Sequence, residues 1–212
     1  MDETTVSVAA VRSVGSDTIA LDLETPDGFD ALPGQFVLLR AEVDGEEMNR
    51  YYTLSSPTVD ETFEITVGVD PDGDLSPWLA DLDTGAEVRI EGPYGEVCYD
   101  DEGDVVVVAG GPGVGPAIAI AERAVEHGHA ATVVYQDDDP AHEDRLDALA
   151  DAGSEVFIFA DDADDELAEA VGAAAEDGDV YVFGFKEFCQ LAVDALEAAG
   201  LDADEANVES FG

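Results

Sequence analysis

Hydrophobic and polar positions fall into two regimes along the chain. Over the first hundred residues, apolar positions come in short runs broken by turn residues. Thr5 to Val11 alternates, and Ile19 to Glu24 alternates after the turn Gly15-Ser16-Asp17. Pro33-Gly34 precedes a run from Gln35 to Arg40, and Gly45 marks another turn. Arg50 to Ser55, Phe63 to Val69 and Glu87 to Ile90 follow. A period of two marks a strand with one buried face. Ser76 to Leu82 predicts one short helix, with Pro77 in the first helical position that suits proline. Strands this closely spaced, with a single short helix, predict a small antiparallel β-barrel.

The second regime begins after an acidic, apolar-poor stretch, Asp100 to Gly103. Val105-Val106-Val107-Val108-Ala109 is continuous, as expected of a strand buried on both faces of a parallel sheet. A glycine-rich turn and a helix over Val114 to His127 come next. Strands are expected at Ala131–Tyr135, Val156–Phe159 and Val180–Phe183. Helices are expected at Arg145–Ala152, Glu166–Ala175 and Phe188–Ala199. Strand and helix in alternation predict a doubly wound α/β unit, closed by an edge strand at Val208 to Phe211. The expected class is therefore all-β followed by α/β, with domains at residues 1–101 and 102–212. No run approaches the roughly 18 apolar residues of a membrane span. The start, Met1 to Thr5, lacks the basic and apolar regions of a secretory leader. A soluble, cytoplasmic protein without membrane insertion is expected; oligomeric state is not legible.

Charge narrows the functional classes. Seven Lys plus Arg face fifty-two Asp plus Glu in 212 residues, a net charge of −45. Nucleic-acid binding needs cations that displace phosphate counterions, and a polybasic membrane anchor needs them too, so both are excluded. Two cysteines do not make a disulfide scaffold. Self-repulsion on this scale becomes tolerable when salt shortens the screening length, to about 3 Å at 1 M. The acids are spread from Asp2 to Glu209, and the pattern is similar to halophilic archaeal proteins. It leaves each of the seven cations, including the single lysine Lys186, worth inspecting. Asp137-Asp138-Asp139 and the acids of 161–165 lack the spacing of a calcium loop and read as solvated loops. His127, His129 and His142 show no metal-ligand spacing and read as structural or exposed.

Two segments carry chemistry. Gly110-Gly111-Pro112-Gly113-Val114-Gly115-Pro116 joins a buried strand to a helix. Glycines allow a tight turn and close backbone approach. The following helix offers free N–H groups to a pyrophosphate. A tight strand-to-helix turn with no ligand would look the same. The spacing is not the usual dinucleotide fingerprint, and no Lys-Ser/Thr follows as a Walker loop requires. The other segment is Arg50-Tyr51-Tyr52-Thr53-Leu54-Ser55-Ser56-Pro57. Alternation puts Arg50 and Tyr52 on one face, with Thr53 opposite or at the strand end. Arginine can clamp phosphate, a tyrosine ring can stack on a flat heterocycle, and a hydroxyl can bond a ring nitrogen. An ordinary barrel strand with a core aromatic is the alternative.

Taken in order, Pro33-Gly34-Gln35, Arg50-x-Tyr52-Thr53, Gly73-Asp74-Leu75-Ser76, Gly92-Pro93-Tyr94-Gly95 and the glycine loop resemble the ferredoxin–NADP reductase superfamily over nearly the whole chain. The resemblance implies a flavin, usually FAD, in the barrel. Arg50 would contact its phosphates, Tyr52 would stack beside the isoalloxazine, and Thr53 would place a hydroxyl near N5. Gly73, Asp74, Leu75 and Ser76 would bind the pyrophosphate. NAD(P)H would bind through Gly110, Gly111, Gly113, Gly115 and Pro116, with Gln136, Asp137 and Gly184 nearby. Glu209-Ser210-Phe211 resembles the family's Glu-x-aromatic ending, which would place Glu209 near the hydride-transfer site and the Phe211 ring near the flavin, where nicotinamide must enter. A frayed tail is the plain alternative.

Two departures stand out. The family commonly carries Cys-Gly-Pro after the last strand of the α/β unit; here the residues are Phe183-Gly184-Phe185, and Cys189 reads as core. Tyr135-Gln136-Asp137-Asp138 stands where many members bind an adenosine 2′-phosphate. Carboxylates repel that group and accept from a free ribose 2′-OH, which favours NADH over NADPH. The expectation is an FAD-dependent NAD(P)H oxidoreductase that passes electrons to a separate acceptor, a protein such as a ferredoxin or a small molecule. No cluster-binding cysteine set is present. A flavin-holding electron-transfer or regulatory subunit with little turnover of its own is the alternative, and a flavin-free nucleotide-binding dehydrogenase is a third reading. Arg50→Ala is expected to release flavin, and Arg145→Ala to leave flavin and activity alone.

Overall fold

The alternating segments of the first half become six strands: β1 (Thr4–Ser13), β2 (Thr18–Glu24), β3 (Phe36–Val43), β4 (Glu46–Thr53), β5 (Thr62–Gly68) and β6 (Glu87–Tyr94). They pair antiparallel in the order β4-β3-β6-β1-β2-β5. A bridge between Leu54 and Ile65, with Ser55 N–H donating to the Glu64 carbonyl at 2.7 Å, brings the end of β4 onto β5. The sheet thereby curls into a half-barrel. Its inward residues, among them Val8, Leu21, Leu23, Leu39, Phe63, Ile65 and Ile90, form one core. Irregular register at Val8/Ala10 and at Phe36/Leu38 helps the strands bend. β4 begins at Glu46, earlier than expected, because the polar stretch Glu46 to Asn49 pairs with β3 as an exposed edge without an apolar pattern. α1 (Leu75–Ala80) buries Leu75 and Leu79 against this core. Pro77 is therefore the third helical residue rather than the first. It fits because the early N–H groups of a helix have no intrahelical acceptor to lose.

The computed structural model describes residues 2–211, so Met1 and Gly212 lie outside the described residues. The second half forms β7 (Val105–Gly110), α2 (Val114–Glu126), β8 (Ala131–Gln136), α3 (Glu143–Asp151), β9 (Glu155–Phe159), α4 (Asp164–Ala174), β10 (Asp179–Gly184), α5 (Lys186–Ala198) and β11 (Asn207–Ser210). The sheet is parallel, ordered β11-β10-β7-β8-β9, with β11 at the edge. Val105 and Val107 pack towards α2, while Val106 and Val108 pack towards α4 and α5. That division explains the unbroken valine run: both faces of β7 are covered. β7, first in the chain, lies inside the sheet, and the order reverses between it and β10. Such a switch point opens a crevice at the carboxyl ends of the strands.

The two units meet across a polar seam. Arg145 of α3 donates to Glu64 of β5 at 2.8 Å, to Glu122 of α2 at 2.7 Å and to the Ser55 carbonyl at 2.8 Å. Arg123 of α2 binds Asp101 through two nitrogens and reaches the Thr58 hydroxyl at 3.0 Å. Ser16, between β1 and β2, donates its N–H to Asp139 at 3.0 Å. Tyr99, fully buried, packs into the core under the parallel sheet and meets Tyr181 edge-on.

Candidate functional site

Both units wall a cavity of about 970 Å³ at the switch point, the upper end of the range for small-molecule sites. From the barrel come Arg50 to Thr53 of β4, Thr66 of β5 and the loop around Asp70 to Ser76. From the α/β unit come Gly111, Pro112, Pro116, Asp137, Phe185, Glu209, Ser210 and Phe211. Twelve of the residues singled out in the sequence therefore share one space: Arg50, Tyr52, Thr53, Gly73, Asp74, Leu75, Ser76, Gly111, Pro116, Asp137, Glu209 and Phe211.

The barrel wall presents side chains. Five of the seven cations are ion-paired: Arg12, Arg40, Arg89, Arg123 and Arg145. Among the described residues Arg50 and Lys186 have no carboxylate partner. In a chain with fifty-two acids, an unpaired guanidinium facing a cavity is a notable exception. Among the described residues Arg50 donates only to the Asn49 carbonyl, at 3.0 Å, and is the one cation in the cavity lining. Tyr52 lines the cavity while its ring packs against the barrel core. That burial, against the opposing Arg50 charge, pushes its hydroxyl pKa up to about 12. Thr53 ends β4 and is 8% exposed. The Ser76 hydroxyl accepts from Asp70 N–H at 3.1 Å, and Gly73 N–H is already given to the Asp70 carbonyl at 3.0 Å. The backbone N–H groups of Asp74 to Ser76 open α1 beside the cavity.

The α/β wall is built by close approach of backbone. Gly111, at φ +54°, has open space around it and faces the cavity with Pro112 and Pro116. The other glycines of the loop lie outside the lining. A Cβ on Gly110 would meet the Phe188 ring at 2.5 Å, and one on Gly184 would meet it at 2.6 Å. A Cβ on Gly113 would lie 2.2 Å from the Phe183 carbonyl oxygen, and one on Gly115 would lie 2.4 Å from the hydroxyls of both Ser55 and Thr66. Gly113 and Gly115 let α2 start against β10 and against the barrel, while Gly110 and Gly184 make room for the Phe188 ring of α5. Gln136 also lies outside the lining; its amide donates to the Ala160 carbonyl at 3.2 Å and to Asp164 at 3.0 Å.

The chain's end returns to the same cavity. Phe211 N–H donates to the Gly184 carbonyl at 2.8 Å. Its ring meets Phe185 edge-on, with centroids 6.2 Å apart. Burial raises the Glu209 carboxyl above its usual range. Phe183 is fully buried under α2, and Cys189 is buried with its thiol 3.4 Å from the Gly184 carbonyl. Asp137 is held by the Tyr135 hydroxyl at 3.1 Å and by Asp139 N–H at 2.8 Å. Sequence reasoning did not single out Phe36, Tyr51 and Thr66. On a strand, one aromatic or threonine looks like ordinary core or surface. Tyr51 is 64% exposed and meets Phe36 edge-on at 5.4 Å, and nothing local distinguishes it.

Comparison with known proteins agrees with this geometry. Residues 5–99 match the family described as oxidoreductase FAD-binding domain. The glycine betaine monooxygenase reductase subunit of Chromohalobacter salexigens is 40% identical over 107 residues, covering 49% of this chain and 29% of that protein. A flavohemoprotein of a Burkholderia species is 28% identical over 229 residues, covering 97% of this chain and 58% of that protein. The chain thus spans less than two thirds of these relatives. The solved ferredoxin reductase in carbazole 1,9a-dioxygenase superposes on the whole chain with a TM-score of 0.83 at 24% identity, this chain covering 68% of it.

Proposed function

We propose that the chain is a member of the ferredoxin–NADP reductase superfamily and an FAD-dependent NAD(P)H oxidoreductase that passes electrons to a separate acceptor, a reading supported by the FAD-binding match over residues 5–99. The observation that carries this reading is the shared cavity, with the free Arg50 and Tyr52 on one wall and Gly111, Phe185 and Phe211 on the other. The residues fit a flavin dinucleotide: an unpaired guanidinium suits phosphates, and flat rings on both walls suit a flat heterocycle.

In this reading Arg50 holds the flavin pyrophosphate, assisted by the N–H groups that open α1 and by the Ser76 hydroxyl, whose proton is free to donate. Tyr52 and Thr53 fix the ring edge and face. Gly111 and Pro112 let the pyridine dinucleotide approach along the backbone. A flavin held there would supply the hydride chemistry with the pyridine dinucleotide. Phe185 and Phe211 stand edge-on to each other at the meeting point. Glu209, half-buried and with its pKa raised, is placed to hold a proton beside them. Asp137, locked by two hydrogen bonds on the dinucleotide side, favours NADH over NADPH because a 2′-phosphate would meet a fixed carboxylate.

The acceptor is a redox protein or a small oxidised molecule. A basic docking patch cannot be assembled when five of the seven cations are already paired. Apolar contact is the route left for a protein partner. The acid excess supports a cytosol of molar salt as the working environment. A second reading, a flavin-holding subunit with little turnover, is favoured by one observation: the Phe185–Phe211 pair stands in the cavity where the nicotinamide must come. The test is to load the protein with FAD in molar KCl and add NADH without oxygen. Loss of the yellow band within seconds supports the reductase. A band that persists with flavin still bound supports the subunit, and a chain that takes up no FAD refutes both.

A further inference from the structure

His142 is the residue that the proposed mechanism leaves unused. It precedes α3 with φ +58°, a conformation that L side chains rarely adopt, and is 4% exposed. Its N–H donates to the Val14 carbonyl at 2.8 Å, so the barrel holds its backbone. Its Nε2 lies 2.8 Å from the Thr66 hydroxyl, which lies 2.7 Å from the Ser55 hydroxyl. Ser55 is fully buried and Thr66 nearly so, yet Thr66 also lines the cavity. α2 closes over the pair at Gly115, where no side chain fits. Arg145 borders the same row through the Ser55 carbonyl and Glu64, and Arg12 reaches Glu64 from the barrel. Burial first, then the charges of Arg145 and Arg12, keep the imidazole neutral.

A neutral imidazole and two hydroxyls in a row leave little rotational freedom to the middle member. The Thr66 hydroxyl is fixed from the α/β unit while it forms part of the barrel's cavity wall. A single row of hydrogen bonds therefore joins the relative setting of the two units to the surface that meets the cofactor. Hydride transfer is sensitive to misplacement of about 1 Å.

We propose that His142 is a positioning residue for the hydride step, acting through Thr66 to fix the cavity wall and the approach of the two units together. This rests on the reductase reading above. The test uses the full chain in molar KCl with His142→Asn, Thr66→Val, Thr66→Ser and the His142→Asn/Thr66→Val double variant. Asparagine tolerates the left-handed backbone but loses the imidazole reach. Three quantities are read: the limiting rate of flavin reduction at saturating NADH, the NADH dissociation constant, and the melting temperature of the FAD-free protein. The expected result is a limiting rate slowed about tenfold in His142→Asn and in Thr66→Val, the worth of one hydrogen bond. The dissociation constant should stay unchanged, Thr66→Ser, which keeps the hydroxyl, should recover most of the rate that Thr66→Val loses, and the double variant should be no slower and no less stable than His142→Asn or Thr66→Val alone. Unchanged limiting rates with lowered melting would reduce His142 to a structural role, and effects that multiply would break the proposed row; either overturns the proposal. A parent protein that binds FAD but is not reduced overturns the reductase reading itself, which separates the two failures.

Discussion

The two walls of the cavity are made by different means. The barrel wall is a display of side chains: a guanidinium without a carboxylate partner, three tyrosines and three threonines, carried on strands whose inward residues form the barrel core. The α/β wall is a product of packing, in which Gly113 and Gly115 bring α2 against β10 and the barrel, Gly110 makes room for the Phe188 ring of α5, and Gly111 is the loop glycine that faces the cavity. Binding strength should therefore reside in named side chains on one wall, and in the integrity of the fold on the other.

The broadest way to break this contrast is to remove salt, which acts on both walls at once. Five carboxylates line the cavity beside Arg50: Asp17, Asp70, Asp74, Asp137 and Glu209. Lowering KCl from about 1 M to about 0.1 M lengthens the screening distance from about 3 to about 10 Å. Flavin release with loss of near-ultraviolet circular dichroism is expected. A protein unchanged in both would show that its charge is balanced by other means.

Arg50→Ala should come next, weakening FAD binding about 100-fold at constant salt, the worth of a charge-assisted hydrogen bond. Equilibrium dialysis measures it, and the melting temperature of the FAD-free protein should hardly move. Arg145→Ala should do the reverse. The sequence offers Arg145 as a neutral control, but its side chain is 22% exposed and pairs with Glu64 and Glu122 across the seam. A stability loss of about 2–3 kcal/mol by urea titration is expected, tempered by partial exposure, with FAD affinity largely kept.

His142 sharpens the comparison through pH. Its pKa is lowered from 6.5 to about 3, mainly by burial, then by Arg145 and Arg12. The unfolded chain therefore binds a proton that the folded chain refuses. The stability from this group is full above about pH 6.5 and is lost as pH falls towards 3, about 2 kcal/mol by pH 5. Melting curves of the parent should fall more steeply over that window than those of His142→Asn. Equal slopes would place the imidazole outside the buried row. The smallest effect is reserved for Gly111→Ala, at roughly 1 kcal/mol for its positive φ; Gly113→Ala should cost far more, since its Cβ would strike backbone.

Much of this was legible in the sequence. Alternation in the first half and the valine run of β7 identify the half-barrel and the parallel sheet, because period and burial are tied by geometry. The segment Arg50 to Thr53 announces itself because a cation and aromatics on one strand have few structural uses. The glycine loop is legible as a motif but not in its parts. A glycine needed for a ligand and one needed for a helix to approach a strand look alike in one dimension. His142 and Arg145 read as loop and helix surface, since nothing local reveals that the start of α3 docks on β5 of the other unit. Pro77 is displaced for a similar reason: burial of Leu75 in the barrel core starts α1 early.

The most direct measurement follows the hydrogen itself. FAD-loaded protein in molar KCl is mixed anaerobically with NADH carrying deuterium at the transferred C4 position. The structure predicts rapid loss of the flavin band, slowed by the isotope, with oxidised dinucleotide formed one for one. Flavin that stays yellow while the dinucleotide binds would contradict a cavity that brings the two rings together for transfer.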